Sequence, residues 1–177
     1  MNKTAIKFKN TLMDWLNENN IPSLYVDYET DFGYAINEED ENIRCLNIGV
    51  EAVPKNVSKY IEQFFYEYGC EYVDIPTPIL CFLHEVGHHM TIGNFKPIDL
   101  TFCDIVKGAI DDSDDFDFYY HYWMINDEMS ANMWAINFIN NHIEEVEKLC
   151  VIFAQGWNAI CKEINPFKLV EEDYYAA

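Results

Sequence analysis

The segment His84-Glu85-Val86-Gly87-His88 narrows most what this chain can become. An H-E-x-x-H pattern has a shared purpose only on a helix. There, residues i and i+4 lie about 40° apart around the axis and one turn along it, so both imidazoles point the same way with room for one cation between them. The flanking residues favour that helix: Thr77-Pro78 reads as an N-cap with proline at the first helical position, and the helix is expected to run to Thr91. With 5 His and 17 Glu among 177 residues, chance supplies about 0.01 such matches. The bland alternative, two histidines that cap or pack a helix, leaves neutral imidazoles buried on one face without partners, which is costly.

A cation held by two imidazoles and kept reactive needs a third protein ligand and one open position. The fold must therefore press a second element against the first. His89 adjoins His88 at the wrong angle to share the ion, and the residues after His88, His89-Met90-Thr91-Ile92-Gly93-Asn94, lack the H-E-x-x-H-x-x-G-x-x-H extension. The best third ligand is Glu128, in the first turn of the apolar helix expected over 127–140. Four residues on, Asn132 shares its face and can accept the free ring N–H of a ligating histidine. The alternative for Glu128 is an acid that favours the helix macrodipole. Glu85 lies about 100° around from His84 and can reach a water on the ion to take its proton. Cys81, one turn before His84, reads as a packed thiol, with ligation as the alternative.

Elsewhere, apolar spacing at Ile6, Leu12, Met13, Trp15 and Leu16 predicts a helix over 4–18 ending at Asn19-Asn20. Alternation predicts short antiparallel strands at 23–29, 34–37 and 43–50, the last two joined by an acidic turn, Glu38 to Asn42. A helix is expected over 57–68, with Tyr60, Ile61, Phe64, Phe65 and Tyr68 on one face. Residues 92–122 read as the least regular stretch. A last helix over 142–164 follows, with Asn141 and Glu144 as capping box and Pro166 as its stop. No repeat or second composition regime interrupts the chain, so a single α+β domain over 1–177 is the economical organisation, with 165–177 open to three readings: an ordered segment, a flexible tail or a partner motif.

His84-Glu85-x-x-His88 followed by Glu128-Met129-Ser130-Ala131-Asn132-x-Trp134-Ala135 resembles the two-helix signature of small gluzincin-type zinc peptidases. It is most similar to the ImmA/IrrE-type metallopeptidases of bacteria, mobile elements and phages. The resemblance covers residues 80–140. It implies a compact zincin-like α+β domain with a short three-stranded antiparallel sheet packed against the active-site helix and further helices. It also implies Zn2+ on His84, His88 and Glu128, Glu85 as general base, and proteolysis of an intracellular regulatory protein. In this chain the long interval from His88 to Glu128 requires an insertion at 92–122, and no separate DNA-binding segment stands out.

Hydrolysis of a carbonyl also calls for a donor to the developing oxyanion. FDFYYHYW (116–123) offers Tyr119, Tyr120, His121 and Tyr122, with aromatic core packing as the alternative use. Charge decides the partners. Eleven Lys and Arg against 31 Asp and Glu give a net charge of -20, which repels phosphate backbones and anionic leaflets and suits a basic protein or peptide substrate, not nucleic acid or membrane. The run DDSDDFD (111–117) lacks the glycine and later glutamate of a calcium loop and reads as a solvated acidic loop that could attract such a substrate. The strand at 43–50, if at a sheet edge, could hold an extended peptide by backbone pairing. No apolar span or secretion signal stands out and the six cysteines show no C-x-x-C pair, so a cytoplasmic protein with free, buried thiols is expected. A second function class is an acidic binding or inhibitor protein that mimics nucleic acid and keeps a structural or vestigial zinc site; a third is a gated or degenerate peptidase. The spread of acids from Asp14 to Asp173 argues against a mimic with one charged face.

Overall fold

Elements follow in the order α1 (Lys3–Glu18), β1 (Leu24–Glu29), β2 (Gly33–Ile36), β3 (Arg44–Gly49), α2 (Lys55–Glu67), α3 (Thr77–Thr91), a 3-10 turn (Ile92–Asn94), α4 (Pro97–Lys107), α5 (Phe116–Trp123), α6 (Asn126–Asn141) and α7 (Ile143–Ile164). The computed structural model describes residues 3–21, 24–36, 44–50, 55–72, 74–110 and 116–164. The chain is mixed α+β and divides into two units, Met1–Ala52 with Glu147–Ala177, and Val53–Val146.

In the first unit, α1 buries Ala5, Phe8, Leu12, Trp15 and Leu16, a stripe at helical spacing. Ile6, expected on that stripe, is 44% exposed, because the buried face is centred on Phe8 and Leu12. The helix stops where expected: Asn20 takes φ 57, and the Ile21 N–H closes back on the Leu16 carbonyl at 2.9 Å. The sheet has the order β1-β3-β2 and is mixed, which corrects the antiparallel expectation: β2 and β3 pair antiparallel, whereas β1 runs parallel to β3 with Val26 opposite Leu46. β3 is therefore the central strand, and the peptide-pairing edge expected at 43–50 is not there. The reason is hydrophobic: β3 buries Leu46 and Ile48 completely and fills its backbone bonds on both sides. Packing within the unit is aromatic. Phe8 meets Phe153 of α7 edge-on at 5.3 Å, Gly156 leaves the space that the Phe8 ring occupies, and Trp157 donates its indole N–H to the Gly49 carbonyl at 2.8 Å.

In the second unit, Phe64 of α2 is fully buried among Tyr68, Tyr120 and Trp123, with ring centroids 4.4, 5.8 and 5.3 Å away. The interval 92–122, expected to be irregular, folds largely as α4 and α5. Its entry signal is local: Pro97 opens α4, and the Asp99 carboxylate accepts the Lys96 backbone N–H at 3.0 Å. The Asn141–Glu144 capping box does not form. Asn141 ends α6 and donates its amide to the Asn137 carbonyl, while the His142 carbonyl accepts the N–H groups of Glu145 and Val146 in the first turn of α7.

All six cysteines are free, and Cys70, Cys103 and Cys161 are buried. Among the described residues no helix is long and apolar enough to cross a membrane. The acidic turn 38–42, residues 111–115 of the acidic run, Pro166 and the tail 165–177 lie outside the described residues.

Candidate metal centre

The scaffold of the site is the contact of α3 with α6. α3 sends Ile79, Leu80, Phe82, Leu83 and Val86 into the core and leaves His84, Glu85 and His88 half-buried. Each of those apolar side chains stabilises the helix in place by about 1.5–3 kcal/mol, so the motif stands on a rigid element. Thr77 is inside the helix rather than its cap: Pro76 takes the N-cap position, and the Thr77 hydroxyl donates to Glu62 Oε1 at 3.2 Å. On α6, Glu128, Ala131, Asn132 and Ala135 recur at helical spacing and are all buried. The small residues let the helices touch. A Cβ added at Gly87 would fall on the Ala131 carbonyl oxygen and lie 2.9 Å from both its carbon and its Cα.

That contact brings together the three expected ligands. His84 Nε2 and His88 Nε2 are 3.1 Å apart, and Glu128 Oε2 lies 3.1 Å from the first and 3.4 Å from the second. Donors at the corners of a tetrahedron about 2.0–2.1 Å from one ion stand about 3.3–3.4 Å from each other. The triangle thus has the size of one face of a zinc-type coordination shell, and the group could bind a metal ion. Asn132 stands where expected, its Oδ1 2.8 Å from His84 Nδ1. An amide oxygen only accepts, so His84 donates from Nδ1 to Asn132 and Nε2 is the ring atom that faces the triangle, free to ligate once its own proton is displaced by a metal ion.

The electrostatics call for positive charge at the same place. Burial alone would raise the Glu128 carboxyl, which is 3% exposed, but its bonds to His84 and His88 hold it far below the usual carboxylate range. Burial pulls His84 down, and Glu128 and Glu85 outweigh it, lifting the imidazole to about 9. In the metal-free protein a proton therefore neutralises the acids that an ion would otherwise neutralise. Glu85 flanks the triangle without joining it: Oε1 is 4.0 Å from His84 Nε2, and burial pushes its carboxyl upward against the pull of the imidazoles. The converging donors form two overlapping groups, His84 with Glu85 and His88, and His88 with Asp127 and Glu128; Cys81 belongs to neither, and burial, helped by Glu85, pushes its thiol up to about 12, so it stays protonated and packed.

Among the four aromatic and histidine candidates, Tyr122 is tied electrostatically to Glu128 and Glu85 and, pushed up to about 12 by burial first and those charges next, keeps its proton to donate. Tyr120 meets the Tyr68 hydroxyl at 2.9 Å, Tyr119 packs on Tyr60 and Trp123, and exposed His121 spends Nδ1 on the Asp117 carbonyl.

Two residues escaped the motif reading. Asp127 is 8% exposed, and Lys107 Nζ lies 2.6 Å from Asp127 Oδ2 and 2.5 Å from Glu128 Oε1. The available signal was the pair Asp127-Glu128 opening an apolar helix, since two adjacent buried acids need a cation.

Asn132→Leu is expected to lower metal affinity about 10–100-fold by freeing the His84 ring. Titration against a competing chelator measures this, and unchanged affinity would mean that Asn132 does not orient His84.

No family model, curated protein or solved structure matches the chain.

Proposed function

We propose that the protein is a zinc-dependent peptidase acting on an intracellular protein, and that the similarity of its two helices to the ImmA/IrrE-type enzymes reflects this activity. The observation that carries the reading is the donor triangle, with edges of 3.1, 3.1 and 3.4 Å and a glutamate beside it that is not one of its corners.

His84, His88 and Glu128 would hold Zn2+, with the Nδ1–H of His84 anchored on Asn132. A zinc ion bound there supplies Lewis acidity, polarising a peptide carbonyl and acidifying a water. Glu85 accepts the proton of the attacking water on its carboxylate and returns it to the amine nitrogen that leaves. The upward shift of its carboxyl by burial moves it toward the working pH of such a base. The Tyr122 hydroxyl, protonated at neutral pH, donates to the oxygen that gains charge. The net charge of -20 raises the local concentration of substrate segments rich in Lys and Arg.

Metal removal tests the reading. Chelator-treated protein is expected to lose cleavage of an unstructured basic protein and to regain it with zinc. Zinc at a hundredfold its dissociation constant is expected to stabilise the fold by about 2.7 kcal/mol. Full cleavage after complete metal removal would refute the proposal.

A further inference from the structure

The two oxygens of Glu128 face different partners. Oε2 completes the triangle with His84 and His88, whereas Oε1 is 2.5 Å from the Lys107 ammonium, at the end of α4. Lys107 is itself fixed on its far side by Asp127 Oδ2 at 2.6 Å, and it lies 5.5 Å over the Tyr122 ring. The arrangement comes from the interval between the two motif helices, not from the motif.

We propose that Lys107 is a positioning residue that restricts Glu128 to ligation through one oxygen and so keeps a coordination position open for water; this rests on the zinc peptidase reading. A carboxylate can hold a cation through one oxygen or both. With two imidazoles and both Glu128 oxygens on the ion, protein donors fill the four positions, and the site becomes a closed structural one. A charge-assisted hydrogen bond at 2.5 Å occupies Oε1 and opposes that rotation. Charge balance points the same way. Glu85, Asp127 and Glu128 carry three negative charges, and Lys107 with a divalent ion and neutral imidazoles cancels them. Without Lys107, the surplus negative charge would draw Glu128 further onto the metal. Asp127 serves as the post to which Lys107 is tied: its Oδ2 lies 2.6 Å from Nζ and keeps the ammonium from swinging away.

The test uses the full chain loaded with zinc, and with cobalt as a spectroscopic substitute. X-ray absorption at the zinc edge and the visible spectrum of the cobalt form read ligand number. The wild type and Lys107→Arg are expected to show two imidazoles and a single carboxylate oxygen, with water completing four-coordination. Lys107→Met is expected to show both Glu128 oxygens on the metal, affinity equal to or tighter than wild type, and kcat lower by about 10–100-fold with KM little changed. Removing the ammonium alone strands the buried Asp127 charge, so Lys107→Met with Asp127→Asn provides the folded comparison and is expected to give the same coordination change. A wild-type protein with Glu128 bound through both oxygens overturns the inference, as does a folded Lys107→Met or double variant with wild-type coordination. In both cases the peptidase reading survives. Failure of the wild type to take up zinc removes both.

Discussion

Replacing Glu85 with glutamine is expected to lower kcat by about 10²–10⁴-fold while leaving one metal site filled and the chain folded. In barrier terms this is about 3–5.5 kcal/mol, the contribution of a positioned group that takes and returns a proton. The separation of effects follows from geometry. Glutamine has the shape of glutamate but cannot accept the proton, and Glu85 is not a corner of the donor triangle, so His84, His88 and Glu128 keep their places. Stability should move the other way, if at all. Burial disfavours the charged form of Glu85, and a neutral amide in its place removes that penalty, so the metal-free variant is expected to melt no lower than wild type. Three measurements decide: zinc content, Tm, and turnover of an unstructured protein. Equal turnover sinks the base assignment. Joint loss of zinc and turnover would make Glu85 a ligand, and an acidic binding protein with a structural ion predicts no turnover in either form.

The parts of the fold that were legible share one property: their signal is local. α1, α3 and α6 carry apolar residues at helical spacing, and Asn20 can adopt the left-handed turn that ends α1. The three strands were legible as alternation, but their pairing was not, because the bond between β1 and β3 skips β2 in the chain and no local rule selects a parallel neighbour. α4 was hidden by its own surface: Ile98, Phe102 and Ile105 are 70%, 64% and 64% exposed, so apolar residues lie on both faces and blur the period. α5 was hidden by its aromatic content, six of eight residues, which reads equally as strand, helix or core.

The same division runs through the site. His84, Glu85 and His88 were legible because one turn of one helix sets their relation. Glu128 and Asn132 were legible because a catalytic ion needs a third ligand and a ligating histidine needs an acceptor, which is chemistry, not pattern. Lys107 was not, since its place depends on how α4 returns to α6. Its recognition needs the coordinates of two acids that the chain sets 20 and 21 residues away.

Gly87→Ala is expected to be strongly damaging although it alters no metal-ligand residue. The added Cβ lands on the Ala131 carbonyl, and the obstacle is backbone of a packed helix, not the end of a flexible side chain. Overpacking of this kind costs about 1–3 kcal/mol, or roughly 2–12 °C in Tm for a chain of this size. Relief requires α3 and α6 to part by about 1 Å, against a tolerance of about 0.2 Å in metal–ligand distances. Because Glu128 lies one turn before Ala131 on α6 while His84 and His88 flank Gly87 on α3, the separation opens two edges of the triangle and leaves the third, between the imidazoles, intact. Zinc affinity is therefore expected to fall by about 100-fold or more, a larger effect than loss of the Asn132 contact. Gly93→Ala supplies the contrast, since a Cβ there meets nothing within 4 Å, and it is expected to be neutral or to stabilise by about 0.4–1 kcal/mol. Calorimetry and chelator competition on the two variants separate a general aversion to alanine from a specific demand for contact. If Gly87→Ala retained wild-type zinc affinity, the approach of the helices would not be what closes the triangle, and the ligands would have to be held by their side-chain bonds alone.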